Sequence, residues 1–313
     1  MSVTTKSAVK GTKADGGSGG AAGPAAAGRP VQAGPSVGKR RLRKARGAGV
    51  TALYLVLALI AGLAVWQLAI EVYSPAPYII PSPRSVWHAL TSLVWADPTM
   101  TGGLWVALGA TMKATLLGFA IGGGGGIVLG IAAGEFRLVQ RLLYPYLVAI
   151  QSLPKVALVP LLATWFGFGL TAKTSLVVLF VFFPVLVNTL QGVVTAEQDR
   201  IDLVRSLSGS RWQQLWRVRL FSALPGIFTG LELGITYAFL GAVLAEMSGS
   251  QDGVGVLISQ FQNNSDTQAT FATLIILAVV GYLLNTIVRF AHRRVVFWEA
   301  TSDKDFRATN AGG

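Results

Sequence analysis

Few residues in this 313-residue chain can do chemistry, and the notable ones are charged side chains inside apolar sequence. There is no cysteine and there are two histidines, so thiol nucleophiles, thiolate sites and a multi-histidine metal site are excluded. We therefore predict no catalytic residue and no metal site. Charged groups at membrane depth are costly and tend to mark solute paths. The candidates for lining such a path are Glu232, Glu246 and Lys155.

Each of these candidates also has a simpler explanation. Glu246 could meet an extracytoplasmic partner or stabilise a neighbouring backbone. Lys155 could sit at an interface with its ammonium group reaching water. Glu232 would not attract an anion, which weakens a direct contact with an anionic solute.

Composition indicates the elements that position these residues. Charged residues make up 13% of the chain and hydrophobic residues 52%, with a mean hydropathy of +0.56, whereas soluble domains average about 25% charged. We predict an all-α membrane protein of about six transmembrane helices, and a short surface helix near Ser85–Leu93. A span needs about 20 apolar residues. The predicted spans are 50–70, 106–133, 142–165, 172–195, 222–247 and 268–290.

The net charge of +12 lies mostly at the N-terminus. Residues 1–49 hold ten Lys or Arg and one acid, within Gly, Ala, Pro and Ser. We predict a disordered basic cytoplasmic tail over 1–49, a membrane domain over 50–298 and a C-terminal tail over 299–313. The basic tail has no aromatic residue to stack on bases, so we expect no nucleic-acid partner.

Basic residues also predict the orientation. With the N-terminus inside, the cytoplasmic segments receive the 39–46 cluster, five arginines in 200–219, and Arg293 with Arg294. The 248–267 loop, then outside, has two acids and no basic residue. Since Lys and Arg concentrate in cytoplasmic loops, we predict that both termini are cytoplasmic (N-in/C-in).

The second predicted span carries a regular row of glycines. Small residues four apart let helices approach closely in lipid, so we interpret this row as helix packing. A flexible point in a helix that moves is the alternative, because consecutive glycines weaken a helix. The row is Gly118, Gly122, Gly126, Gly130 and Gly134.

Between the fourth and fifth spans lies the segment 196–222, called the coupling segment below. Leu203 and Leu207 share a helical face, Ser208-Gly209-Ser210 interrupts the pattern, and a Trp/Arg-rich stretch follows. The pattern predicts a helix–turn–helix on the cytoplasmic side. A basic helix lying on anionic lipid is the alternative, but it needs neither a turn nor an acidic first half.

The coupling segment resembles the EAA loop of ABC-importer permeases, whose pattern is E-A-A-x-x-x-G, nine residues, then I-x-L-P. Ser208 stands where the pattern has glycine, with Gly209 one place later, and Phe221 replaces the proline. The resemblance assigns ATPase coupling to Asp202, Leu203, Val204, Leu207, Ser208, Gly209, Val218 and Leu220.

Further segments resemble the branch of that family for sulfonates, taurine and nitrate, over about residues 75–298. They are Pro81-Ser82-Pro83, 152–161 with 165–169, Phe182-Phe183-Pro184, Ala245-Glu246-Met247 with Gly253-Val254-Gly255, and Arg293-Arg294 before Trp298.

The resemblance implies a type I ABC importer permease fold in the bacterial inner membrane, without enzyme activity. Its implied partners are a cytoplasmic ATPase, which binds ATP and magnesium, an extracytoplasmic binding protein, a second, identical permease chain, and membrane lipid. The implied solute is small and anionic, and no cofactor is expected in this chain. An integral-membrane enzyme acting on lipid is the alternative, but it would need clustered acids or histidines.

Overall fold

The computed structural model describes residues 37–298, except 77, 101, 152, 196–201, 203, 205 and 209. This part of the chain is helical, with short connections and no strand. The predicted tails over 1–36 and 299–313 lie outside the described residues, as do Leu203 and Gly209 of the coupling segment.

The helices are numbered in chain order. A 3-10 turn, Lys155–Leu158, precedes α5, and a π-helical turn, Leu215–Arg219, joins α7 to α8. The helices are α1 (Val37–Tyr73), α2 (Pro83–Val94), α3 (Leu104–Glu135), α4 (Arg137–Gln151), α5 (Val159–Phe166), α6 (Leu170–Val194), α7 (Arg211–Gln214), α8 (Leu220–Met247), α9 (Val254–Asn263) and α10 (Thr267–Val295).

The chain divides into two units at Ile60. In the first unit, residues 37–60 are helical as the N-terminal part of α1. The prediction of disorder over 1–49 is therefore wrong for residues 37–49. Arg, Lys and Ala, which predominate there, are strong helix formers, and no proline lies between Pro35 and Pro75 to stop the helix.

The second unit, from Ala61, holds the other helices. Short helix α2 confirms the predicted surface helix, which begins earlier because Ser82 caps it and Pro83 occupies its first turn. Among the residues that the structure describes, five helical stretches are long and apolar enough to cross a membrane. They are Val56–Tyr73, Leu104–Glu135, Leu170–Val194, Trp212–Met247 and Thr267–Val295.

The predicted third span, 142–165, is not one helix. Helix α4 ends at Gln151, and the chain restarts as the 3-10 turn and the eight-residue helix α5. Pro154 explains the break, because proline lacks an N–H and disfavours the helical conformation of the residue before it.

This broken segment nevertheless extends from one end of helix α8 to the other. Glu135, just before α4, contacts Arg219 at the start of α8. Phe168, just after α5, accepts a hydrogen bond of 3.4 Å from Ser250, which lies beyond Met247. Residues 136–167 therefore pass from the Arg219 end to the Met247 end of α8.

Helices α3, α6 and α8 form the centre of the second unit. Valines of α6 lie buried between alanines of α3 and α8: Ala114, Val177, Val181, Val185, Ala238 and Ala242. Small residues allow this close approach. A second cluster, near the Met247 end, joins α3, α8, α9 and α10 through Ala107, Phe239, Val254, Leu257, Ile258 and Leu277.

The glycine row of α3 lies against α6. A Cβ built on Gly126 would lie 2.8 Å from the carbonyl oxygen of Phe182, and one on Gly130 would lie 2.7 Å from the Cβ of Thr189. Gly118, Gly122 and Gly134 meet Val177, Val178 and Val193 in the same way. Helix α3 continues without a break through Gly122–Gly126.

A second row of glycines, on α8, packs against a neighbouring face of α6. A Cβ on Gly226 would lie 2.7 Å from the carbonyl oxygen of Asn188, and one on Gly230 would lie 3.0 Å from the Cα of Val185. Gly226, Gly230 and Gly234 have the same four-residue spacing as the row on α3 but were not predicted as packing residues. Helix α6 therefore packs closely against small-residue faces of both α3 and α8, which meet at Val181 and Val185.

Candidate functional site

The second half of the coupling segment begins at a well-formed helix start. The Ser210 N–H donates to Gln213 Oε1 at 2.9 Å, and the Gln213 N–H donates to Ser210 Oγ at 3.2 Å. This reciprocal pair is a capping box, which satisfies two otherwise unpaired N–H groups. The S-x-x-Q spacing fixes where α7 begins, directly after the turn at Ser208.

Ser208 has a left-handed backbone, with φ of +56°. This is the position at which the family pattern has glycine. A non-glycine residue is strained there by roughly 1–2 kcal/mol. The residue at the glycine position of the pattern therefore has a backbone conformation that favours glycine.

The coupling segment is anchored on the membrane helices at its C-terminal side. Val218 is buried, and Leu220 packs against the cluster of Val193, Ala223 and Ile227. Between them, Arg219 Nη1 lies 2.8 Å from Glu135 Oε2 at the last turn of α3. Movement of the turn would therefore be transmitted to both α8 and α3.

Three of the other assigned residues that the structure describes are exposed. Leu207 is 75% exposed, Asp202 and Ser208 are exposed, and Val204 is partly buried. Trp212 and Trp216, one helical turn apart, are also largely exposed and contact each other edge to face, with ring centroids 5.5 Å apart. Large exposed apolar groups on a polar-rimmed segment are typical of a protein-docking surface.

Glu246 lies in a buried polar network near the Met247 end of α8. The residue is 1% exposed. Its Oε2 accepts hydrogen bonds from the Thr111 hydroxyl at 2.8 Å and the Gly255 N–H at 3.0 Å. Thr111 in turn accepts from the Val254 N–H at 2.9 Å. The network ties α3, α8 and α9 together.

Lys173 of α6 completes this network. Its buried Nζ lies 3.6 Å from Glu246 Oε1, donates to the Asp252 carbonyl oxygen at 2.6 Å and is ion-paired with the Asp252 carboxylate. A buried charge is tolerated when it is paired and hydrogen-bonded. In this structure Glu246 therefore supports the neighbouring backbone and does not line an open path.

Gly253 and Gly255 are required by the same network. A Cβ on Gly253 would lie 2.1 Å from Glu246 Cδ, and one on Gly255 would lie 2.7 Å from Glu246 Cβ. Gly253 also has a φ of +113°, which favours glycine. The spacing Glu246…Gly253-x-Gly255 thus encodes one local structure, in which the loop backbone closes directly over a carboxylate.

Glu232, the second acidic candidate, pairs with α10. Its Oε1 lies 2.6 Å from His292 Nδ1, and its Oε2 lies 3.6 Å from Arg289 Nε. Phe228 stacks on the His292 ring with centroids 5.2 Å apart. The structure therefore uses Glu232 to join α8 to the C-terminal part of α10.

Lys155 is partly buried, and its ammonium group lies 5.9 Å and 5.8 Å from the ring centroids of Phe180 and Phe183. These distances fall within cation–π range. The structure thus does not bring the three path candidates, Glu232, Glu246 and Lys155, to one place. Sequence reasoning missed their partners Lys173, Asp252, Thr111 and His292.

Comparisons with known proteins agree with this architecture. Residues 126–297 match the family described as binding-protein-dependent transport system inner membrane component, which is more than half of the 313 residues. SsuC of Bacillus subtilis, whose name describes an aliphatic sulfonates transport permease, is 34% identical over 236 residues, covering 75% of this chain and 84% of SsuC.

Two other relatives have different solutes in their names. The taurine transport system permease protein TauC of Escherichia coli is 32% identical, covering 75% of this chain and 86% of TauC. The riboflavin transport system permease protein RibX of Chloroflexus aurantiacus is 32% identical, covering 80% of this chain and 91% of RibX.

The chain belongs to the binding-protein-dependent transport system inner membrane components. It is a multi-pass membrane permease subunit of an ABC importer, and it is not an enzyme. Membership implies an ATPase and a substrate-binding protein as partners. The alternative of a lipid-modifying enzyme has no support.

Proposed function

We propose that two identical copies of this chain form the path for a small anionic solute, and that the coupling segment docks on a cytoplasmic ATPase subunit. The observation that carries the coupling role is the anchoring of the segment: Leu207 is exposed while Val218 and the Arg219–Glu135 pair hold the other side to α8 and α3. A docked partner that moved Leu207 would therefore move two membrane helices.

The proposed topology has six crossings with both termini in the cytoplasm. It is supported by the passage of residues 136–167 between the ends of α8, which supplies a crossing that no single long helix provides. Trp298 stacks on Phe221 with centroids 4.2 Å apart, so α10 ends at the Arg219 end. Basic residues gather there, whereas the loop holding Asp252 and Asp266 lies at the Met247 end, which we place outside.

The anionic solute is proposed from the relatives named for sulfonates, taurine and nitrate. Because the relative RibX is named for riboflavin, riboflavin is the alternative solute to test. We also propose that ATP and magnesium bind to the partner ATPase. The nearest phosphate-loop candidate here, Gly34–Arg40, is one residue short between its glycines and has Arg40 where a magnesium-binding hydroxyl is needed.

Uptake by the complete transporter, with its ATPase and binding protein, tests both proposals. Taurine, nitrate and riboflavin are each supplied with label, and we expect ATP-dependent uptake of an anion. Leu207→Asp should abolish both uptake and copurification of the ATPase, because a charge replaces the exposed apolar contact.

Trp95→Asp is the matched control. Trp95 is 85% exposed and its neighbour Val94 bonds to Trp105 at the start of α3, far from Glu135. This variant should keep the ATPase bound. Retention of the ATPase by Leu207→Asp would refute the docking site, while uptake of riboflavin without either anion would refute the solute class.

A further inference from the structure

One positively charged side chain, Lys155, lies at the break in the segment 136–167. Helix α4 ends at Gln151, and Lys155 begins the 3-10 turn that follows Pro154. Between Lys155 and Phe166 the chain rises about 20 Å, at about 2.0 Å per residue in the turn and 1.5 Å in helix α5. Half the thickness of the hydrocarbon core is about 15 Å. The ammonium group therefore cannot reach the aqueous surface at the Phe166 end by extending along the protein.

The contacts of Lys155 with α6 give the same depth. Its ammonium group lies 5.9 Å from the ring centroid of Phe180 and 5.8 Å from that of Phe183. Phe180 is ten residues from the first residue of α6, Leu170, and Phe183 is eleven from the last, Val194. At 1.5 Å per residue, each ring is about 15 Å from the nearer end of the helix. Lys155 thus lies close to the middle of the membrane.

Two other lysines of the membrane helices are placed differently. Lys173 is buried and ion-paired with Asp252 near the Met247 end of α8. Lys113 lies two residues from Thr111, which belongs to the same network, and so it is close to that end as well. Within the described part of the chain, by contrast, Lys155 has no carboxylate at ion-pair distance.

The surroundings of this turn are unsuited to lipid tails. A charge without a partner is costly in hydrocarbon, and backbone outside a helix is tolerated at that depth only beside protein or water. The turn at Lys155 has both features. Leu153 and Val156 on either side are 53% and 54% exposed, so the described helices leave this side of the turn open. Breaks in membrane helices of this kind form solute sites near the bilayer midplane in transporters.

The two aromatic rings hold the Lys155 ammonium group without neutralising it. A cation–π contact positions the group but leaves its full charge and its N–H donors for a better acceptor. An oxyanion is such an acceptor, because its hydrogen bonds to an ammonium group are charge-assisted. When the anion leaves, the rings again stabilise the cation, so binding is reversible, as transport requires.

We propose that Lys155 binds the oxyanion head group of the transported solute midway through the membrane, and that Phe180 and Phe183 hold its ammonium group when the site is empty. This inference rests on the proposed function, since it needs a path for a small anion. It gives Lys155 a different role from Lys173, whose charge is used within the fold.

The same substitution at the two lysines separates these roles. In the complete transporter, with its ATPase and binding protein, Lys155→Met should lower taurine uptake at least about tenfold, because a charge-assisted contact is lost. Its thermal unfolding temperature should stay the same or rise, since no ion pair is removed. Lys173→Met is the matched control and should unfold at a lower temperature. Unchanged uptake in Lys155→Met, or a fall in its unfolding temperature equal to that of Lys173→Met, would overturn the proposal.

The absence of cysteine in this chain allows the charge to be removed and then restored. Lys155→Cys should take up little taurine. Reaction with 2-aminoethyl methanethiosulfonate, which attaches a primary amine, should restore uptake, whereas the neutral methyl methanethiosulfonate should not. Taurine delivered by the binding protein should slow the modification several-fold. The unmodified transporter, treated in the same way, gives the background from its partner subunits.

Val279→Cys is the control for access to water. Val279 is 53% exposed near the middle of α10, between the exposed apolar residues Ile275 and Leu283, and this face suits lipid. Modification of Lys155→Cys no faster than that of Val279→Cys would show that position 155 does not face water. Equal recovery with the neutral reagent would show that the charge is not needed. Either result overturns the proposal, whereas an unmodified transporter that takes up neither taurine nor nitrate refutes the proposed function instead.

Discussion

Arg219 and Glu135 form an ion pair, with 2.8 Å between Nη1 and Oε2, that joins the base of the coupling segment to the last turn of α3. Both side chains are about one quarter exposed. Pairs of this kind contribute roughly 0–1 kcal/mol to stability. We therefore expect the pair to contribute little to the stability of the fold and to act mainly as a link between the coupling segment and α3.

Neutralising this pair should uncouple the transporter. In Arg219→Gln or Glu135→Gln we expect the ATPase to remain bound and to hydrolyse ATP, while the uptake per ATP hydrolysed falls severalfold. The double reversal Arg219→Glu with Glu135→Arg should recover part of the loss. Thermal unfolding of the single variants should change by no more than about 1 kcal/mol. An unchanged ratio of uptake to hydrolysis would rule out this route of coupling.

The glycine row predicts opposite effects at neighbouring positions. Gly126→Ala places a methyl group 2.8 Å from the Phe182 carbonyl oxygen, whereas Gly124→Ala meets nothing within 4 Å. Gly126→Ala should destabilise the protein by about 1–3 kcal/mol through overpacking. Gly124→Ala should stabilise helix α3 by roughly 0.5–1 kcal/mol. Unfolding in detergent measures both, and equal effects would argue against close packing of α3 on α6.

The buried network of Lys173, Glu246 and Asp252 predicts which substitution destabilises the protein more. Lys173→Met should be more destabilising than Asp252→Asn. The Lys173 side chain is 3% exposed and its loss leaves Glu246 without its cation, whereas the Asp252 side chain is 65% exposed. Breaking a buried pair costs about 3–5 kcal/mol. Adding Glu246→Gln to Lys173→Met should restore part of the stability, since it removes the unpaired charge. Failure of this rescue in thermal unfolding would show that the two side chains act independently.

Residue patterns were sufficient to predict the class of fold. The apolar segments predicted five of the membrane helices, because burial in lipid demands about 20 apolar residues whatever the partner. Their predicted ends differ from the candidate spans by up to about ten residues, the largest difference being 222 against Trp212. They failed at 142–165, where hydropathy is continuous but Pro154 interrupts the backbone. Pro154 is the residue in the sequence that indicates this break.

Candidate site residues were harder to interpret because burial depends on distant partners. Glu246 was predicted as a path candidate because it is a charge in apolar sequence, but its partner Lys173 is 73 positions away on another helix. The alternative that Glu246 stabilises a neighbouring backbone agrees with its bond to Gly255. The Gly253-x-Gly255 spacing was a usable signal, since glycines beside a buried acid indicate close approach of the backbone.

The left-handed conformation of Ser208 gives a prediction for the coupling segment itself. Ser208→Gly should relieve strain of about 1 kcal/mol and so tighten ATPase binding by up to several-fold, because the turn is better preorganised. Ser208→Val should weaken binding, since a β-branched residue is poorly tolerated at a φ of +56°.

Ser206→Gly is the control. Ser206 is helical and its hydroxyl donates to the Asp202 carbonyl oxygen at 2.9 Å, so glycine there should weaken both the helix and the binding of the ATPase. Titration of the ATPase subunit onto the purified permease measures each affinity, and a loss of binding in Ser208→Gly would show that the left-handed turn is not what the ATPase recognises.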